Sequence, residues 1–121
     1  MSLNKVMLIG SVGKDPEIKD VGGSKCATFS LATTEKYKDR NGEYRENTEW
    51  HNVTCWRGPA DVVEKYVKKG SMLFIEGKLQ TREWTDRDGN KRRSTGVVVD
   101  NIQLLYSKPN NNARSSRDDE F

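Results

Sequence analysis

Cysteine and histidine are scarce in this 121-residue chain: there are two of the first and one of the second. Cys26 and Cys55 stand in strand-like, apolar surroundings without a CxxC partner, which favours reduced core residues over a disulfide or a metal pair. A lone His51 argues against a zinc site, and no cofactor is expected. No apolar run reaches membrane-spanning length, and the one after Met1-Ser2-Leu3-Asn4-Lys5 is too short for a signal peptide, so the expected location is the cytoplasm and no membrane partner is expected. Clustered acid pairs with metal spacing, a nucleophile beside an activating histidine and a Gly-rich loop followed by lysine are all missing, which counts against an enzyme. Hydrophobic residues make up 33% of the chain and charged ones 32%. So little apolar surface suits one small domain with a short extension, and oligomerisation would supplement its core.

What is present centres on Thr48-Glu49-Trp50-His51-Asn52-Val53-Thr54-Cys55-Trp56. As a β-strand this stretch puts Trp50, Asn52, Thr54 and Trp56 on one face and His51, Val53 and Cys55 on the other, because side chains alternate. The face suited to a core is the one without tryptophan. Large rings among amides and hydroxyls on a solvent face are what stacking on unpaired bases requires. The competing reading packs the indoles under a loop or another subunit.

In chain order, Asn4 to Val12 reads as a strand apolar on both faces, with Met7 and Ile9 left over for a subunit contact. Gly10 and Gly13 mark a bend or bulge; Asp15-Pro16 and Val21-Gly22-Gly23-Ser24 are turn chemistry. Ala27 to Thr34 alternates with Phe29 and Leu31 inward. Glu35 to Asn47 is a polar hairpin with its tip at Asn41-Gly42, carrying Lys36, Tyr37, Lys38, Arg40, Tyr44 and Arg45, where bases can stack on tyrosine and cations can hold phosphate, as a merely solvated loop would also look. Pro59 to Lys69 is the one helix, with Val62, Val63, Tyr66 and Val67 as its apolar stripe and Gly70 at its end. Ser71 to Trp84 is a strand with Leu73, Ile75 and Leu79 inward, Gly77 at a bend, and Lys78, Gln80, Arg82 and Trp84 outward. A second tip at Asp86 to Asn90 leads into the last strand, Thr95 to Tyr106.

Strand, strand, strand, helix, strand, strand is the element order of an OB-fold, an all-β, five-stranded barrel with one helix between strands 3 and 4, whose sheet face and loops bind oligonucleotides or oligosaccharides. That domain covers residues 1–106 and holds 18 basic against 15 acidic side chains; residues 107–121 hold 3 against 3. The tail is rich in Lys, Pro, Asn, Ser, Arg and acid, with no apolar residue between Ala113 and Phe121 and basic residues ahead of the acidic end Asp118-Asp119-Glu120-Phe121, and it is expected to be a disordered linker and tip.

Asn4-Lys5-Val6 with the Gly10-to-Pro16 turn, Leu31-Ala32-Thr33, Thr48-Glu49-Trp50-His51, Lys69-Gly70-Ser71, Ile75-Glu76-Gly77 and Arg82-Glu83-Trp84-Thr85-Asp86 resemble the bacterial-type single-stranded DNA-binding protein, in order, from about residue 3 to 106. The resemblance implies a homotetramer that wraps single-stranded DNA without sequence preference in replication, recombination and repair. It assigns stacking to Tyr37, Trp50, Trp56 and Trp84, with Tyr37 where tryptophan is usual and Trp56 where phenylalanine is usual. Arg40 and Lys69 match its basic positions, and Lys36, Lys38, Arg57, Lys78 and Arg82 complete the expected phosphate contacts. Gly58 replaces a frequent lysine, with Arg57 beside it to compensate, and Glu83 stands where a basic residue is common. Lys5, Met7, Ile9 and His51 are expected at the subunit interface. The tip Asp118, Asp119, Glu120 and Phe121 is expected to dock replication and repair proteins, although it lacks the Ile-Pro or Leu-Pro common just before the end. A related OB-fold module acting on RNA or as a primosome accessory factor is the alternative, which oligo-dT against oligo-U affinity would separate.

Overall fold

The computed structural model describes residues 1–107. Six strands and one helix follow one another: β1 (Val6–Val12), β2 (Glu17–Val21), β3 (Ser24–Lys38), β4 (Tyr44–Trp56), α1 (Gly58–Tyr66), β5 (Met72–Thr85) and β6 (Lys91–Tyr106). Hydrogen bonding runs β1-β5-β6-β4-β3-β2, and β1 also pairs with β3, so five strands close into a ring. Those five are the barrel strands expected from the sequence, with the helix between the third and fourth. The sixth, β2, is an addition to the five predicted. It lies outside the ring, paired among the described residues only with β3, through the turn at Gly22-Gly23. Only Ile18 and no other β2 side chain is even half-buried, so nothing but charge and one isoleucine marks it as a strand. Charged side chains on such an edge also discourage pairing with other chains.

Alternation then decides what enters the barrel. Leu31, Val53, Cys55, Leu73 and Ile75 are completely or almost completely enclosed, and Val97 and Val99 join them from β6. Side chains one position away stay at the surface, as period two demands. Gly10 and Gly77 make the close crossings: a methyl group on either would collide with a neighbouring carbonyl, that of Ala32 or of Val98. At Gly77 the β5–β6 register also shifts, which bends the strand as the sequence suggested.

The helix plugs the barrel through Ala60 and Val63, both fully buried. The Lys25 ammonium lies between Asp61, at 2.8 Å, and Glu64, which ties α1 to β3. The helix is shorter than the predicted Pro59 to Lys69. Val67 turns extended and drops into the core, while Lys68 donates its N–H to Ser71 Oγ at 3.0 Å, so burying one valine ends the helix a turn early. Tyr66, expected on the apolar stripe, is exposed instead. Leu79 is likewise exposed rather than inward, because β5 outruns the core beyond Gly77.

Both long hairpins leave the barrel and end in tips of the same seven-residue pattern, Asp39-Arg40-Asn41-Gly42-Glu43-Tyr44-Arg45 and Asp86-Arg87-Asp88-Gly89-Asn90-Lys91-Arg92, identical at four positions. In the first, Asp39 Oδ1 accepts the N–H groups of Asn41 and Glu43 at 2.9 and 3.0 Å, and Arg45 Nε donates to Oδ2 at 2.8 Å. In the second, Asp86 Oδ1 accepts those of Asp88 and Asn90 at 2.9 Å each, and Arg92 Nε donates to Oδ2 at 2.8 Å. Gly42 and Gly89 supply the left-handed residue of each turn, with φ of 81° and 82°.

Candidate nucleic-acid interface

The face of β4 turned away from the core carries the two tryptophans the sequence singled out. Trp50 is 58% exposed and Trp56 36%, while His51 is half-buried and Val53 and Cys55 are enclosed behind them. Opposite Trp50, β3 presents only Ala32, flanked by Ser30 and Thr34, so the ring is not covered by its neighbours across the ladder. Beneath it lies Gly13: a methyl group there would stand 2.5 Å from Trp50 Cζ3. The sequence marked Gly13 only as a bend. Its role as the floor under an indole depends on β1 crossing β3, which no local pattern reveals.

A groove runs from this face toward β5 and β6, lined by Asn52, Thr54, Trp56, Gln80, Arg82 and Gly96. It brings Trp56 and Arg82 together, and a second depression joins Arg82 to Trp84 and Ser94. Trp84 itself is 49% exposed and pairs across the ladder with Arg92, beside Arg93. Three tryptophans and Arg82 thus follow one another along a polar surface. Tyr37, also 49% exposed, is not in that row: it stands opposite Arg45, on the other face of its hairpin from Trp50.

The expected phosphate contacts divide by what they already hold. Arg40, Arg57, Lys69, Lys78 and Arg82 are exposed and make no ion pair among the described residues. Lys36 reaches Glu46 at 3.8 Å, and the Lys38 ammonium lies 5.6 Å from the centre of the Tyr44 ring. Lys69 is positioned through its backbone, whose N–H donates to Asp15 Oδ1 at 2.8 Å. Arg57 has φ of 57° and ψ of −114° at the start of α1, the one non-glycine residue with positive φ among the described residues. That conformation strains an L side chain. Both its backbone groups are engaged, by the Lys25 carbonyl and the Asp61 N–H, so the strained residue is held from both sides.

Of the expected interface residues, Met7 and Ile9 are exposed on the outer side of β1, and Lys5, also exposed, stands just before it with its ammonium 3.3 Å from Glu76. His51 is elsewhere, on the core-facing side of β4, with Nε2 2.9 Å from the Thr33 hydroxyl. The tip residues Asp118, Asp119, Glu120 and Phe121 lie outside the described residues. Cys26 and Cys55 are free and buried, and burial pushes the Cys55 thiol up to about 12, so it is un-ionised and inert at neutral pH. Asp39 and Asp86 both ionise below the ordinary carboxylate range, chiefly because Arg45 and Arg92 bond to them and then because backbone N–H groups do.

Comparison with known proteins places this geometry. Residues 3–105 match the family described as the single-strand binding protein family. The single-stranded DNA-binding protein of Rickettsia felis is 53% identical over 118 residues, covering 92% of this chain and 78% of that protein. Single-stranded DNA-binding protein 1 of Xylella fastidiosa is 44% identical over 113 residues, covering 92% and 83%. A solved structure described as the Plasmodium falciparum SSB complex with ssDNA superposes with a TM-score of 0.80 at 38% identity, over 88% of this chain and 97% of that one. A match across nearly the whole barrel, together with a relative sharing half its residues, makes this chain a member of the single-strand binding protein family.

Proposed function

We propose that the chain binds and protects single-stranded DNA without sequence preference, as a binding protein rather than an enzyme, in replication, recombination and repair. The observation that carries this is the exposure of Trp50, Trp56 and Trp84 along a polar surface that includes Arg82. Each base stacked on such a ring is worth about 1–3 kcal/mol, and any base will serve because each has a π-face. Tyr37 adds a fourth ring from the other face of its hairpin, for a strand that passes round the hairpin edge. The cations Arg40, Arg57, Lys69, Lys78 and Arg82, which make no ion pair among the described residues, hold phosphates, with Lys36 released from Glu46 and Lys38 from its place over the Tyr44 ring to join them. The Trp50→Ala variant tests the reading: it should weaken oligo-dT and mixed-sequence binding alike, and wild-type affinity should fall with salt at a log–log slope of about −0.7 per phosphate held. Loss on one sequence only would refute it, as would tryptophan fluorescence that oligo-dT leaves unquenched.

The active form is a homotetramer in the cytoplasm. What supports assembly is β1, which pairs with β3 only at Ser11 and Val12 and leaves one edge of its first half without a partner among the described residues, beside the exposed Met7 and Ile9. Lys5 and His51 belong to the same assembly, His51 through a different contact from the β1 surface. Solution mass with and without long oligo-dT tests this. The tip Asp118 to Phe121 docks replication and repair proteins, a terminal aromatic entering an apolar pocket while the acids meet Lys or Arg; a chain truncated after residue 117 should lose partner binding and keep DNA binding.

A further inference from the structure

Resting on the reading of the Trp50 face as the DNA track, we propose that Tyr44 is a further base-stacking platform, the outermost of a row that continues through Trp50 to Trp56. The three aromatics recur every sixth residue of β4, and an even spacing on a strand puts them on one face. At about 3.3 Å per residue, successive rings stand roughly 20 Å apart. Tyr44 is 79% exposed, more than any tryptophan of the track, and contributes nothing to the core. Directly across the ladder is Lys38, whose ammonium lies 5.6 Å from the ring centre. One side of the ring therefore meets a cation, in the range where the ring's charge distribution attracts it. The other side is open to a nucleobase, and the same ammonium is within a side chain's length of the phosphate that base would carry. Tyr37 has no such setting: it is on the opposite face, and no cation stacks on it among the described residues.

The ligand is the nucleobase and phosphate of single-stranded DNA, reached only by a strand long enough to run from Trp50 out along the hairpin. Affinities of wild type, Tyr44→Ala, Tyr44→Phe and Trp50→Ala for two oligo-dT lengths test this, one of about 5 nucleotides and one of about 16, near the limits of a single OB-fold's site. Tyr44→Ala should weaken the longer oligomer about 5-fold or more and leave the shorter one unchanged, and Tyr44→Phe should bind both as wild type does. A Tyr44→Ala variant that binds both lengths as tightly as wild type overturns the proposal, and so does a Tyr44→Phe variant as weak as Tyr44→Ala, since the hydroxyl would then be the contact. A Tyr44→Ala variant whose solution mass changes while its affinity does not overturns it too, because the ring then serves assembly. Should Trp50→Ala also bind normally, the DNA track itself is misplaced, which distinguishes that failure from an error about Tyr44 alone.

Discussion

The two hairpins share a tip and little else. Asp39 and Asp86 each hold the backbone N–H groups two and four residues on and the arginine six residues on, yet one arm displays Tyr37 and Tyr44 on opposite faces while the other displays Trp84 among Arg92, Arg93 and Glu83. The turn is thus a generic fitting, set by a short code. What the arms can bind depends on the residues mounted beside it. Arginine makes the point sharply: Arg45 and Arg92 are occupied by the tip's own aspartate, whereas Arg40 and Arg87 in the second position make no ion pair among the described residues.

Removing the mounted ring should show the largest contrast. Trp84→Ala is expected to lower oligo-dT affinity by about 5- to 150-fold, the equivalent of 1–3 kcal/mol, and Tyr37→Ala by less, because tyrosine offers the smaller surface; titration of both variants at one salt concentration checks it. Next comes Gly13→Ala, which acts on the first arm's neighbour alone. The added methyl displaces the outer edge of the Trp50 ring, so DNA affinity should fall and Trp50 emission should shift with little change in Tm. Asp39→Asn and Asp86→Asn should each speed amide exchange at one tip only, at Asn41 and Glu43 or at Asp88 and Asn90, with a smaller effect on affinity than either tryptophan change.

Acid should open both tips together. Each aspartate ionises below its usual range, so its contribution to the fold is complete above the unfolded-state value, about 3.9, and disappears as pH drops through the lower folded value. Exchange at the four tip amides should accordingly stay slow through the ordinary carboxylate range and accelerate below it; opening at one tip well before the other would break the equivalence. The least consequential change should be a graft. Giving the second tip the first one's sequence, by Asp88→Asn, Asn90→Glu and Lys91→Tyr, keeps every anchoring group and should leave stability within about 0.5 kcal/mol per exposed substitution in a denaturant titration.

Much of this was legible in the residues because alternation is a strict rule within one strand. The inward Val53 and Cys55 and the outward Trp50 and Trp56 required only that β4 be a strand. The plug helix and the left-handed glycine at the first tip announced themselves through Pro59 and Asn41-Gly42 in the same local way. What escaped were relations between segments. Whether Tyr37 shares a face with Trp50 depends on strand parity carried through a hairpin whose ladder register must be known, and the sequence grouped the two. Gly13 meets Trp50 only once β1 crosses β3, Leu79 is exposed because β5 overshoots the core, and β2 hides because a strand outside the ring needs almost no apolar face.

The parallel join between β4 and β6 engages only Val53 with Val97 and Thr54 with Val98, residues far apart along the chain. The flanking antiparallel pairs connect neighbours in sequence and can zip from their own turns, whereas this join has to wait for an entire helix and strand to be in place. Barrel closure is therefore expected to be the slow event in folding, and a truncation such as Val97→Ala should retard refolding more than an equally destabilising cut inside either hairpin.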